Sequence, residues 1–500
     1  MSLLGIDIGT TGTKAIVFSE EGKVLASACL EYNLIFPKHG WVEFDVNAMW
    51  GKIFGVIKKV NASENVRKDP VTALSVSTVG ESFTPIDNKG NILYNTIYST
   101  DARSIKKLEY IFTKISPADL YNITGYPPGF KSPLNKILWV KSNLPEIYLK
   151  TKKILFTEDL LFHKLGVIST KISYSLSSMT LFFDIKNKRW SARILNEFDI
   201  DPNLFSKPVP SGIKIGYINK SVMEELGFKK RVSVVTGGND QSCAALGVGA
   251  VEDGIAADGM GTVECITTSL DELVMNDSML NNNFSTQAHI IDDKYVTLAY
   301  NMTSGSVIKW YIDVFSEEEK RIAEVKEKNI YDCLFSKLTF EPSGIYVLPY
   351  FSASGTPFFD PKPKGTIIGL SLATKKEDIF KALIEGLIFE IAFNIEIVKE
   401  SGVNIKEIRA VGGGSKSDYW LKLKSSILGK PIRRMSITEA GCLATMILAG
   451  KATGKFSIKE AVSNFIKVDR EFYPDKEIYS RYGKYHENYK KIYDAIGKIN

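Results

Sequence analysis

Short apolar runs broken by glycine-rich turns set the plan of this chain. Leu3 to Ile8 runs into a turn of glycines and threonines, and a second apolar run, Ala15 to Phe18, leads away from it. Run, tight turn and returning run predict a β-hairpin. A strand near Val24 to Tyr32 follows, then a helix from about Asn47 to Val60 that Asp45 caps. Val71 to Ser77 and Phe83 to Ile86 predict strands, and Asp87-Asn-Lys-Gly90 a turn. From Asp101 to about Lys164 the pattern predicts helix, broken at Gly125-Tyr-Pro-Pro-Gly129 and at Pro145.

The β-branched stretch Val232 to Val235 predicts a strand that enters Thr236-Gly-Gly-Asn-Asp240 and then a small-residue helix to Gly247. Directly after it, Gly254-Ile-Ala-Ala-Asp258-Gly-Met-Gly261-Thr262 repeats the plan of the first hairpin: apolar strand, acid, Gly-Thr turn, returning strand. Two copies half a chain apart predict a duplicated architecture. Further on, a helix from Lys375 to about Ser401 carries Gly386 and small residues, which predicts close packing on another helix. In the tail, Tyr479, Tyr482, Tyr485, Tyr489, Tyr493 and Ile496 recur at three- and four-residue spacing. That stripe reads as the docked face of a helix rather than as a stacking surface for bases or sugars.

Composition changes this picture little. Five hundred residues exceed a single core and predict two large units, 1–251 and 252–500. The chain is 44% apolar and 24% charged, as in ordinary soluble proteins, and its formal charge of +6 is scattered, which gives no footprint for nucleic acid. The first residues do not read as a signal peptide, and no apolar run approaches the length of a membrane span. Cys29, Cys243, Cys265, Cys333 and Cys442 form no C-x-x-C pair, and four dispersed histidines offer no zinc site. A cytoplasmic protein is expected.

The turns carry the chemistry. Glycines let backbone N–H groups approach an anion, and threonine hydroxyls add donors. Thr10, Thr11, Gly12 and Lys14 of the first hairpin and Gly261 and Thr262 of the second are therefore candidate phosphate contacts, with Asp7 placed to hold a divalent cation through water. A third turn, Ala410-Val-Gly-Gly413-Gly414-Ser-Lys416, lies between a strand and a helix and is a candidate for the rest of a nucleotide. There is no G-x-x-x-x-G-K-[ST] segment, which excludes a P-loop kinase.

In these motifs the chain resembles the FGGY carbohydrate kinases of the actin-like ATPase superfamily. The likeness extends through Gly40-Trp41-Val-Glu43-Phe-Asp45, Lys136-Ile-Leu-Trp139, Tyr346-Val-Leu-Pro-Tyr350, Glu385-Gly386 and Gly412-Gly-Gly414, in the family's order. The resemblance implies an α/β fold of two actin-like, ribonuclease H-like ATPase domains with a cleft between them. It also implies an ATP- and Mg²⁺-dependent kinase of a small ketose or polyol, xylulose- or fuculose-like. Asp240 matches the family's base residue for residue; the other reading of Asp240 is a cap for the helix at Gln241. Glu81, Asp101, Asp240 and Gln241 are the implied substrate contacts, and Arg103 reads as a salt-bridge partner. Gly80-Glu81 departs from the Gln-Met-His of xylulokinases. The resemblance leaves assembly open, a homodimer among the forms allowed. A sugar-independent actin-like ATPase and a non-catalytic sugar-binding regulator are the alternative classes.

Overall fold

The computed structural model describes residues 1–497 except 169, 361, 363 and 364. Its frame is a pair of seven-stranded sheets with one plan. In the first, Ser2–Ile8 pairs antiparallel with Gly12–Phe18, which pairs antiparallel with Val24–Glu31. On its other side Ser2–Ile8 runs parallel to Val71–Thr78, then Ser233–Val235 follows in parallel and Lys214–Tyr217 closes the edge antiparallel. The second sheet repeats this order. Ile255–Met260 pairs antiparallel with Glu264–Leu270 and that with Tyr295–Asn301. Glu407–Val411 and Ile432–Met435 follow in parallel, and Val468–Phe472 closes the edge. The two hairpins differ in their turns: Ile8↔Thr13 encloses residues 9–12, whereas Met260↔Glu264 encloses only 261–263.

Local signals read from the sequence place several elements well. The first long helix spans Val46–Asn61, and the Asp45 carboxylate accepts from the amides of Asn47 and Ala48, each at 3.0 Å. The tail forms the helix Lys476–Gly497, docked as its tyrosine stripe predicts. The hydroxyl of Tyr482 donates to Glu385 at 2.7 Å and that of Tyr489 to Glu390 at 2.6 Å, both from buried positions on the helix Lys376–Glu400. Two expectations need correction. The stretch from 101 to 164 is not all helix, because Lys153–Phe156 is a strand paired with Phe83–Ile86 at the edge of a five-stranded sheet. Gly386 meets a strand and not a helix: a Cβ there would stand 2.3 Å from the Val347 carbonyl oxygen.

One late segment belongs to the first sheet. The helix Ala440–Ala452 is apolar all round and packs between that sheet and the helix Asp240–Gly247. Leu443, Met446 and Ile447 bury against Leu3, Ile16, Phe18 and Leu246. The approach is so close that a Cβ at Gly5 would lie 2.1 Å from the Cys442 carbonyl oxygen, and one at Gly247 2.0 Å from that of Ala440. Among the described residues no helix is long and apolar enough to cross a membrane.

Candidate functional site

Asp240 sits where a strand of the first sheet turns into a helix. Gly237 and Gly238 are required there by contact, since a Cβ on Gly237 would stand 1.7 Å from the Val76 carbonyl oxygen and one on Gly238 2.3 Å from Ile290. The cap of the helix is Asn239, whose side-chain oxygen accepts from the Gln241 amide at 3.0 Å, and Asp240 is its first residue. The capping role suggested for Asp240 thus falls to its neighbour. Two groups hold the turn from behind: Ser175 Oγ accepts from the Asn239 amide at 3.1 Å, and the buried Glu158 accepts from Gly237 N–H and Ser173 N–H, both at 2.7 Å. Burial, and then the charge of Asp7, push the Asp240 carboxyl up to about 7.

A cavity of about 230 Å³ opens beside Asp240. Thr10, Glu81, Tyr98 and Gln241 line it from the first half, and Gln287, Tyr300 and Phe359 from the second. Glu81 holds a left-handed backbone, φ 61°, rare for a residue with a side chain, and its carboxylate accepts from the Tyr126 hydroxyl. No arginine contacts it among the described residues. Behind this loop the buried Lys136 spends its three donors on the carbonyls of Glu81, Tyr98 and Ser99 at 3.2, 2.8 and 2.9 Å, and burial pushes its ammonium down to about 7. Thr10 and Tyr98 share a hydroxyl–hydroxyl hydrogen bond, which ties the first hairpin to the same loop.

Asp101 lies elsewhere than the resemblance suggests. It is fully buried away from the cavity, accepts from the Val42 amide at 2.5 Å, and has both oxygens taken by Arg103 at 2.8 Å. Arg103, bound also to Glu43 and stacked over Trp41, is the interior partner its position implied.

The second cavity, about 960 Å³, gathers Gly261, Thr262, Gly413, Gly414 and Lys416, all named from the sequence, with Tyr331, Phe335 and Tyr419 along its walls. Of the first hairpin, Thr11, Gly12 and Lys14 line neither cavity. Thr11 stands exposed at the tip, Gly12 closes the turn by accepting from the Gly9 amide at 2.9 Å, and Lys14 pairs with Glu439 at 2.5 Å. Asp7 points from the strand end toward Ser77, its carboxyl held above the usual range by burial. Its counterpart Asp258 differs: it is buried with Glu264 against the Lys424 ammonium, which stays charged because the two carboxylates outweigh its burial. Residues 81, 240 and 241 thus line the smaller cavity, and 261, 262, 413, 414 and 416 the larger. Glu158, Lys136, Tyr126 and Gln287 were not singled out as site residues. Lys136 lies within a segment of family likeness.

Residues 2–247 match the N-terminal domain, and residues 259–453 the C-terminal domain, of the FGGY family of carbohydrate kinases. A xylulose kinase of Staphylococcus epidermidis is 28% identical over 501 residues, covering 99% of this chain and 97% of that protein. A glycerol kinase of Thermoanaerobacter sp. is 27% identical over 520 residues, 99% and 98% of the two chains. A ligand-bound xylulose kinase from Lactobacillus acidophilus shares the fold with a TM-score of 0.89 across both whole chains at 22% identity.

Proposed function

The chain belongs to the FGGY family of carbohydrate kinases, ATP-dependent phosphotransferases that work with Mg²⁺, and from that premise we propose that Asp240 is the base that activates the acceptor hydroxyl of a small ketose or polyol. The hydroxyl proton passes to Asp240 as the oxygen bonds to the γ-phosphorus, and the bond from that phosphorus to the bridging oxygen breaks to release ADP. A carboxyl near 7 is matched to this task, ionised enough to accept a proton at neutral pH and basic enough to hold it. The single observation that carries the reading is the position of Asp240 on the wall of a cavity that residues of both halves enclose.

Sugar hydroxyls meet Glu81 and Gln241 in that cavity. Thr262, Gly261, Gly413, Gly414 and Lys416 receive the nucleotide in the larger one, and Thr10, Thr11 and Gly12 border the phosphates from the first hairpin. Asp7 fits Mg²⁺: its charge is felt by Asp240, while the nearby Lys14 ammonium is committed to Glu439. When bound, Mg²⁺ neutralises phosphate charge. The two actin-like units divide near residue 251. The names of the relatives support a xylulose-like ketose or a polyol as substrate. An ADP-release assay over pentuloses, deoxyhexuloses, hexuloses and polyols tests the proposal. Sugar-dependent release is expected; release without sugar would make the protein an ATPase, and sugar binding with no release a regulator.

A further inference from the structure

The sugar cavity contains one cation among its described lining residues, Lys131, and that cation has no anion. It comes from the loop after Gly129 of the first half and rests on aromatic rings of the second, 4.6 Å from the centroid of Tyr300 and 5.3 Å from that of Phe359. Ring faces hold an ammonium in place by their quadrupoles but accept none of its N–H bonds in the ordinary sense, so its donors stay available. Among the described residues no carboxylate lies within ion-pair distance of it. On the same cavity stands Gln287, 3% exposed, whose Nε2 donates to Ser285 Oγ at 2.8 Å while its Oε1 is buried without a partner. A buried acceptor left unmatched costs stability until a donor reaches it.

We propose that Lys131 and Gln287 form a subsite for a carboxylate and the hydroxyl beside it, so that the phosphorylated polyol is a sugar acid. This rests on the kinase reading above and names its substrate class. A carboxylate supplies Lys131 with a full negative charge, and such charge-assisted bonds are roughly twice as strong as those to a neutral hydroxyl. A hydroxyl on the adjacent carbon donates to Gln287 Oε1. A lone ammonium without a cluster of backbone N–H groups suits a singly charged carboxylate better than a phosphate dianion. Asp240 then serves a hydroxyl farther along the same chain.

The test pairs aldonic acids of five and six carbons with the alditols and ketoses of equal length. ADP release and calorimetric binding are measured on the native protein, Lys131→Met, Lys131→Arg and Gln287→Glu. The native protein should favour the acid by about tenfold or more in kcat/KM and in affinity. Lys131→Met should shrink that ratio about tenfold, Lys131→Arg should keep most of it, and Gln287→Glu should shrink it by repulsion. Equal use of acid and neutral sugar by the native protein overturns the subsite, as does a ratio that Lys131→Met and Gln287→Glu leave unchanged. Phosphorylation of neutral sugars alone overturns the subsite and leaves the kinase reading standing. Selective binding of the acid without ADP release does the reverse.

Discussion

The Glu158 carboxylate accepts the Gly237 amide at 2.7 Å, three residues before Asp240, from a fully buried position with no cation among the described residues paired to it. Its second oxygen takes the Ser173 amide at the same distance, so one buried acid ties the turn of Asp240 to the helix start behind it. Burial pushes this carboxyl up to about 7, a tendency that the two N–H bonds oppose.

Glu158→Gln leaves one of those amides facing an NH₂ group in place of an acceptor. Turnover should fall about tenfold or more as the turn shifts, with the KM for ATP nearly unchanged. Steady-state kinetics with each substrate varied checks this, beside a melting curve to show that the protein is folded.

Asp240→Asn keeps shape and removes the base. Turnover should drop roughly 10²- to 10⁴-fold with little change in nucleotide affinity. In the native protein kcat/KM for the sugar should rise with pH and level off above about 7, because the base works only when ionised. Near-normal turnover in the variant would refute the assignment.

Thr262→Val takes one hydroxyl from the second hairpin, in the lining of the larger cavity. The loss should be on the order of 1 kcal/mol, about fivefold in kcat/KM for ATP, with sugar affinity unaltered. A nucleotide-bound crystal structure shows directly whether the hydroxyl meets a phosphate.

Glu81→Ala should weaken sugar capture by about 2 kcal/mol or more while ATP binding stays the same. Since its carboxylate meets a tyrosine hydroxyl and, among the described residues, pairs with no cation, the loss should depend on which hydroxyl the sugar carries. A deoxy series measured with native and variant enzyme decides the point: discrimination unchanged by the mutation would remove Glu81 from the site.

Glu390 provides a test of stability. Its buried carboxylate accepts from Tyr350 at 2.7 Å and Tyr489 at 2.6 Å, and burial pushes it up to about 7. A folded-state value above the unfolded one stabilises fully below the unfolded value near 4.5 and loses that contribution as pH rises through 7. Glu390→Gln, neutral throughout, should therefore gain up to about 3 kcal/mol on the native protein between pH 5 and 8. Denaturant melts across that range give the difference.

How much of this was legible depended on where each residue's partner lies. The two hairpins, the helix at Asp45 and the tyrosine stripe could be read because their determinants are local: a glycine turn between apolar runs, a capping acid, a helical period. Lys153–Phe156 could not, since a four-residue run without turn residues on either side becomes a strand only through its pairing with Phe83–Ile86. Asp101 was misplaced because the family motif names the residue type but not which of Arg103 and the sugar it faces. Glu158 acts through a partner 79 positions away, Gly237, and nothing beside it in the chain marks it.

The helix Ala440–Ala452 governs how the protein comes into being on the ribosome. The strands it covers are made first, yet their apolar face at Leu3, Ile16 and Phe18 has no permanent cover until the chain has been extended past residue 452. At about 5–20 residues per second, the interval between the helix Asp240–Gly247 and that point is on the order of ten to forty seconds. During it the nascent first half carries a bare hydrophobic surface, the kind that chaperones hold and neighbouring chains stick to. Mutations that loosen the 440–452 contact should thus show up as poor soluble yield before they show up in the kinetics of whatever protein survives.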